Sequence, residues 1–244
     1  MLALLGAMKL EIEPLKRQMK IQKESQTDGC LVYEGKYQGQ PTLLVQTGVG
    51  GHRAEAATKY VFDNYQVQAI ISLGFAGGLV PGLKTGELVI CRRLVHGKLP
   101  ALESAAPLVE LAKRIARPTE ASLVTVSRPA NQRHQKEALA QTYSAQAVDM
   151  ESYWVAAMAA RHGTPVLVAR VISDPLGYDL PNLEGISSAS GEWNQRKAFF
   201  YFAGHPLETL RLSRLYFGHR RAKQNLVRFV NSFVSVYQIP DRGA

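Results

Sequence analysis

Short apolar runs alternate with amphipathic stretches along most of the chain. Leu2 to Leu5 is a wholly apolar run ending at Gly6-Ala7 and predicts a short buried strand, and Glu11-Ile12-Glu13-Pro14-Leu15 reads as the start of a helix. Gly29 to Tyr37 and Pro41 to Gln46 predict a hairpin around Gln38-Gly39-Gln40, its second strand running into Thr47-Gly48-Val49-Gly50-Gly51. From His52 to Tyr65, the apolar positions Ala54, Ala57, Tyr60, Val61 and Tyr65 keep helical spacing, and Val67 to Leu73 is a strand opening into Gly74-Phe75-Ala76-Gly77-Gly78. Further on, Gly86 to Val95 predicts a strand, Ala106 to Ile115 a helix, Ala121 to Ser127 a strand and Ser152 to His162 a helix. Pro165 to Ile172 is apolar enough for a strand covered on both faces.

This alternation predicts an α/β protein in which helices flank a central mixed, twisted and partly barrel-like sheet. No repeat, linker or low-complexity tract divides it, so residues 1–244 read as one domain with a basic helical extension over 193–244. The stretch from Asp174 to Trp193, rich in Pro and Gly, reads as a long loop that can serve as a lid.

Composition narrows the class. With 244 residues, 46% of them hydrophobic, the chain can bury a sizeable core. No run of eighteen apolar residues occurs, and Met1 to Met8 lacks the length and basic flank of a signal peptide, so a cytoplasmic protein is expected. Cys30 and Cys91 sit in strand-like runs and read as buried thiols. The net charge of +9 is concentrated at the end, where nine Lys and Arg face only Glu208 and Asp241 from Trp193 onward. Such a surface suits a solvated helix face, an acidic partner or an anionic membrane; no nucleic-acid-binding motif accompanies it.

Candidate chemistry is sparse. Gly48-Val49-Gly50-Gly51 follows a strand and precedes a helix, but Arg53 stands at the third position of a dinucleotide fingerprint, and no P-loop ending is present. The six histidines are scattered without metal-ligand spacing, so neither metal nor cofactor is expected. No Gly-x-Ser-x-Gly elbow occurs. What stands out is a pair of runs that place acids at the ends of strand-like segments, Ala147-Val148-Asp149-Met150-Glu151-Ser152 and Arg170-Val171-Ile172-Ser173-Asp174.

Taken with Gly6-Ala7-Met8-Lys9-Leu10-Glu11, Thr47-Gly48-Val49-Gly50 and Gly74-Phe75-Ala76-Gly77-Gly78, these runs occur in an order that resembles the nucleoside phosphorylase superfamily, over residues 1–175. Among its branches the chain most resembles the methylthioadenosine/S-adenosylhomocysteine nucleosidases. Val126-Ser127-Arg128-Pro129-Ala130, the Val-Asp-Met-Glu-Ser run and the basic C-terminal helices resemble the hopanoid-associated members, which implies removal of adenine from a lipid nucleoside, adenosylhopane.

Breaking an N-glycosidic bond asks for protonation of the purine, a grip on the ribose hydroxyls and an aimed water. The resemblance implies that Glu11 activates the water, Glu151 accepts from the ribose hydroxyls, Asp174 protonates the base, Ser173 orients Asp174, and Arg170 positions Glu11 or its water. It places Gly50, Phe75, Ala76, Gly77, Val148 and Met150 around the substrate, a purine nucleoside, and implies a homodimer. Each residue also has a plain reading. Glu11 fits an exposed first-turn acid, Glu151 a helix cap, Asp174 before Pro175 a turn opener, and Met150 a core filler. A buried Arg170 needs a carboxylate partner, and the resemblance puts Glu11 there.

The pattern also departs from the methylthioadenosine enzymes. Phe75 replaces a serine near the water, and Arg128-Pro129-Ala130 replaces a Gly-Asp-Phe segment against adenine, which points to a larger apolar 5′ group. Trp193, Phe199, Phe200, Tyr201 and Phe202 are candidates to wall it, or else to pack a core or dimer. An acid at Glu11 suits water over phosphate. Phosphorolysis through Lys9, Arg53 or Arg128 is the alternative, and a non-catalytic nucleoside-binding protein is the second class. A lipid substrate further suggests peripheral membrane contact by His219 to Tyr237, with Leu226, Val227, Phe229, Val230, Phe233 and Val234 toward the bilayer and Arg220, Arg221, Lys223 and Arg228 at head groups.

Overall fold

In the computed structural model β1 (Leu2–Gly6) lies between β4 (Gln40–Gln46) and β5 (Ala69–Gly78), parallel to both. The structure describes residues 1–27, 29–178 and 206–237, with side chains of the last segment from Arg220 onward. The sheet extends from β4 to β3 (Cys30–Tyr37) and β2 (Lys20–Thr27), both antiparallel. The β3–β4 hairpin turns through Gln38 and Gly39, both at positive φ (50° and 81°), the two-residue turn whose twist matches that of the strands. Strand β2 escapes the sequence pattern because Lys20-Ile21-Gln22-Lys23-Glu24 is an exposed, polar edge with no apolar alternation to read.

On its other side β5 pairs along most of its length with β10 (Val166–Asp174). Strand β10 bonds to β6 (Leu88–Val95), β6 to β8 (Thr119–Thr125), and β8 to β9 (Ala147–Asp149), which returns to the far end of β5. Five strands thereby close into a ring, the barrel-like part of the sheet, while a short β7 (Leu102–Glu103) lies against β6. Gly74 to Gly78 is not a loop: it continues the strand, since both edges find partners there.

Helices cover both faces. Alternate residues of β1 and β10 explain the apolar runs. Leu2, Leu4, Leu167, Ala169 and Val171 face one core with α1 (Lys9–Lys16), α3 (Ala106–Ala116) and α6 (Pro206–Val236). Ala3, Leu5, Val166, Val168 and Ile172 face another with α2 (Gly51–Asn64) and α5 (Ser152–Arg161). A smaller cluster joins Val95, Val124 and Val148 to Leu139, Ala140 and Tyr143 of α4 (Arg133–Tyr143), a helix the apolar pattern does not announce.

The apolar stripe of α6 does not face a bilayer. Leu226, Phe229, Val230, Phe233 and Val234 are all buried in the first core, and Val227 packs at its margin, because the helix lies on β10 beside α1 and α3. Arg220, Arg221 and Arg228 are exposed on the other side and Lys223 is half-buried. Among the described residues no helix is long and apolar enough to cross a membrane. Cys30 and Cys91 are buried. The lid segment is described only as far as Tyr178, and Trp193, Phe199, Phe200, Tyr201 and Phe202 lie outside the described residues.

Candidate active site

Glu11 is not the exposed first-turn acid that its sequence position allows. It is the third residue of α1, and it turns back over the helix start into the sheet, only 2% exposed. Its Oε2 accepts hydrogen bonds from the backbone N–H groups of Ala7 and Met8, each at 2.9 Å, and its Oε1 accepts one from Phe75 N–H at 2.8 Å. Gly74 makes room for this: a Cβ there would stand 2.6 Å from Oε1. Burial raises the Glu11 pKa, while these N–H groups and the charge of Arg170 pull it back.

Arg170 lies on β10 opposite Gly74 and is buried, 3% exposed. Its hydrogen-bonded acid is Asp149, not Glu11. Nε donates to Asp149 Oδ2 at 3.1 Å and Nη2 lies 2.9 Å from the same oxygen, while Nη2 also donates to Ser72 Oγ at 3.0 Å. Asp149 wins the contact because β9 is held in the ring beside β8, which brings its side chain under the guanidinium. Asp149 also accepts from Thr125 Oγ1 at 2.7 Å, from Ser152 N–H at 3.0 Å and from the Ser152 hydroxyl.

Asp149 thus satisfies the start of α5, the capping task that the sequence offers to Glu151. The Glu151 side chain is left to reach across to α2, where its Oε1 accepts from Gly50 N–H at 2.7 Å. Gly50 sits at φ 99°, open to glycine but strained for other residues, and aims its N–H at the acid from the start of α2. Burial first, then the negative charge of Asp149, push the Glu151 pKa up to about 8. Met150, next to it, is half-buried.

Glu11, Glu151, Arg170, Ser72, Phe75 and Thr47 line one small cavity, in which about 10 Å³ is open to the centre of a water. That is room for roughly one water molecule. The remaining candidates gather farther along β5. Asp174 lies against Gly77, where a Cβ would come 3.1 Å from its Oδ2, and the same Cβ would meet Val148 at 3.0 Å. Ser173 Oγ donates to Asp174 Oδ1 at 2.5 Å and lies 3.3 Å from Ala76 O. Asp174 does not line the cavity of Glu11. Gly74 and Gly77 are three residues apart, about 10 Å of strand, so the two acids mark the ends of a nucleoside-sized span.

Sequence reasoning missed Lys136. It comes from α4, is fully buried, and its Nζ lies 2.7 Å from Asp174 Oδ2. The signal was present: Lys136, Leu139, Ala140 and Tyr143 share one helix face, so a lysine occupies an apolar position. Arg128 and Pro129 are exposed. Among the described residues no group of His, Cys, Asp and Glu could hold a metal ion.

Compared with known proteins, residues 1–197 match the family model of the phosphorylase superfamily. The chain belongs to the phosphorylase superfamily. Its curated relatives within that superfamily include the 5′-methylthioadenosine/S-adenosylhomocysteine nucleosidases of Oceanobacillus iheyensis, 26% identical over 73% of this chain and 87% of the relative, and of Geobacillus kaustophilus, 28% identical over 72% and 85%. The fold is that of the Neisseria meningitidis nucleosidase solved with methylthio-immucillin-A, at TM-score 0.76 and 23% identity over 97% of this chain and 99% of that one. It is equally that of Helicobacter pylori futalosine hydrolase, at TM-score 0.75 and 22% identity over 97% of each. The protein is an enzyme of that superfamily.

Proposed function

We propose that this enzyme hydrolyses the N-glycosidic bond of a 5′-modified adenosine and releases adenine. The observation that carries the reading is the filling of the backbone N–H cluster by Glu11. The amides of Ala7, Met8 and Phe75 face one small region beside Arg170, an arrangement suited to an anion, and the two oxygens of a carboxylate of the chain itself occupy it. Phosphate would have to displace that carboxylate or bind against its charge, whereas a water fits beside it.

In this reading a water between Glu11 and Arg170 attacks the anomeric carbon and gives its proton to Glu11. The electron pair of the C1′–N9 bond passes to the purine, which takes up a proton at N7 near Asp174. Glu151, held by Gly50, meets the ribose hydroxyls. Arg170 offsets part of the negative charge of Glu11, Asp149 and Glu151. Relatives named as nucleosidases support hydrolysis of a purine nucleoside.

The finer substrate follows from sequence. Phe75 and the Arg128-Pro129-Ala130 run favour a bulky apolar 5′ group, and the resemblance to hopanoid-associated members makes it a lipid such as adenosylhopane. The enzyme then works in the cytoplasm as a homodimer, with the groove of Arg220, Arg221 and Arg228, which shares no residue with the acid cavity, resting on anionic lipid. One experiment covers the reading. Adenine release is followed from methylthioadenosine and from 5′-alkyl adenosines carried in anionic vesicles, with and without phosphate. Free ribose products at equal rates in both conditions are expected; ribose 1-phosphate appearing only with phosphate would establish a phosphorylase instead.

A further inference from the structure

Among the described residues, Lys136 is the one buried cation near the candidate acids that the reaction above leaves unused. Its Nζ has three protons and four acceptors around it: Asp174 Oδ2 at 2.7 Å, Asp174 O at 3.0 Å, Pro175 O at 3.2 Å and Tyr178 O at 3.3 Å. The side chain is 0% exposed, although a leucine or methionine would continue the apolar face of α4 at no electrostatic cost. A lysine kept there is tied to Asp174. Both carboxylate oxygens of that acid are already engaged, Oδ1 by the Ser173 hydroxyl and Oδ2 by the ammonium. Asp174 paired in this way is a carboxylate, and a carboxylate has no proton to give to a purine.

We propose that Lys136 is a positioning residue for purine protonation, holding the Asp174 carboxylate and supplying, through it, the proton that the departing base takes up at N7. The inference rests on the nucleosidase reading. As C1′–N9 breaks and its electron pair enters the purine, one proton passes from Nζ to Asp174 Oδ2 and one passes from Asp174 to N7. Adenine leaves neutral, Asp174 ends as a carboxylate and Lys136 as an amine. The proton that the attacking water lost to Glu11 passes to solvent, and a solvent proton restores the ammonium. The same lysine bridges the backbone from Asp174 to Tyr178, so it also sets where the chain leaves the sheet.

Lys136→Met, Lys136→Arg and Asp174→Asn test this in the full chain, with adenine binding measured by calorimetry and folding by circular dichroism. Turnover should fall about 100-fold in Lys136→Met, the usual worth of an acid catalyst, with adenine affinity within about threefold of the parent. Arginine keeps the charge but does not release a proton, so Lys136→Arg should be as slow. Parent-like turnover in the arginine variant overturns the proton route. Should that variant not fold, the double variant Lys136→Met/Asp174→Asn decides: it should be no slower than Asp174→Asn alone, and a further loss equal to that of Lys136→Met overturns the proposal. A parent enzyme that releases no adenine from any adenosine refutes the nucleosidase reading itself.

Discussion

At the scale of single residues, the arrangement turns on how buried charges are shared. Four charged groups, Glu11, Asp149, Glu151 and Arg170, lie together with only one cation among them, so at least one acid holds a proton more tightly than it would in water. Glu151 is the strongest case, its pKa raised to about 8 by burial and by Asp149. The folded state then binds that proton better than the unfolded chain, so the stabilisation is complete below about pH 4.5 and is lost as pH rises through about 8. Glu11, raised for the same first reason, adds in the same direction. In urea titrations of the ligand-free protein, Glu151→Gln should be the more stable of the two at pH 9, relative to pH 5, by on the order of 4 kcal/mol. Equal pH profiles for the parent and the variant would mean that Glu151 titrates like a surface acid. Sequence reasoning singled out Glu151 and Asp174 because acids at segment ends stand out, and Glu11 only through the family resemblance. It paired Arg170 with the wrong acid and passed over Lys136, because a partner 21 or 38 positions away is chosen by the fold and not by spacing.

At the scale of elements, helix α6 shows how one pattern serves two readings. Its apolar spacing fits a bilayer or a core, and the stretch of sheet beside α1 and α3 decides for the core. Phe233 is 0% exposed and contacts the rings of Phe229 and Tyr237. Truncating it to alanine should cost about 3–5 kcal/mol in urea unfolding, whereas a helix lying on lipid would lose membrane affinity with little change in stability. Helix α1 is similar in kind. Its N-terminus is closed by its own third residue, with Glu11 accepting from Met8 N–H, so the bond that starts the helix also aims the candidate base.

At the scale of the whole molecule, β5 and β10 carry the site because they lie where the sheet closes. Every residue of both strands is buried, and each strand has neighbours on both edges, whereas β2 is an exposed edge. Amide hydrogen exchange should therefore be slowest in β5 and β10 and fastest among the strands in β2; rapid exchange in β10 would show that the ring opens readily and that Arg170 and Asp174 are not held in place. The sequence by itself determined the class of fold and most strand and helix positions, since these follow from local periodicity and residue type, while the candidate acids were named through the family resemblance. Only the tertiary structure decided that Gly74 to Gly78 is strand, that α6 faces inward, that Asp149 takes Arg170 and that Lys136 takes Asp174. Those outcomes depend on which edges and faces remain open after the ring has closed, a competition among distant segments that no local pattern records.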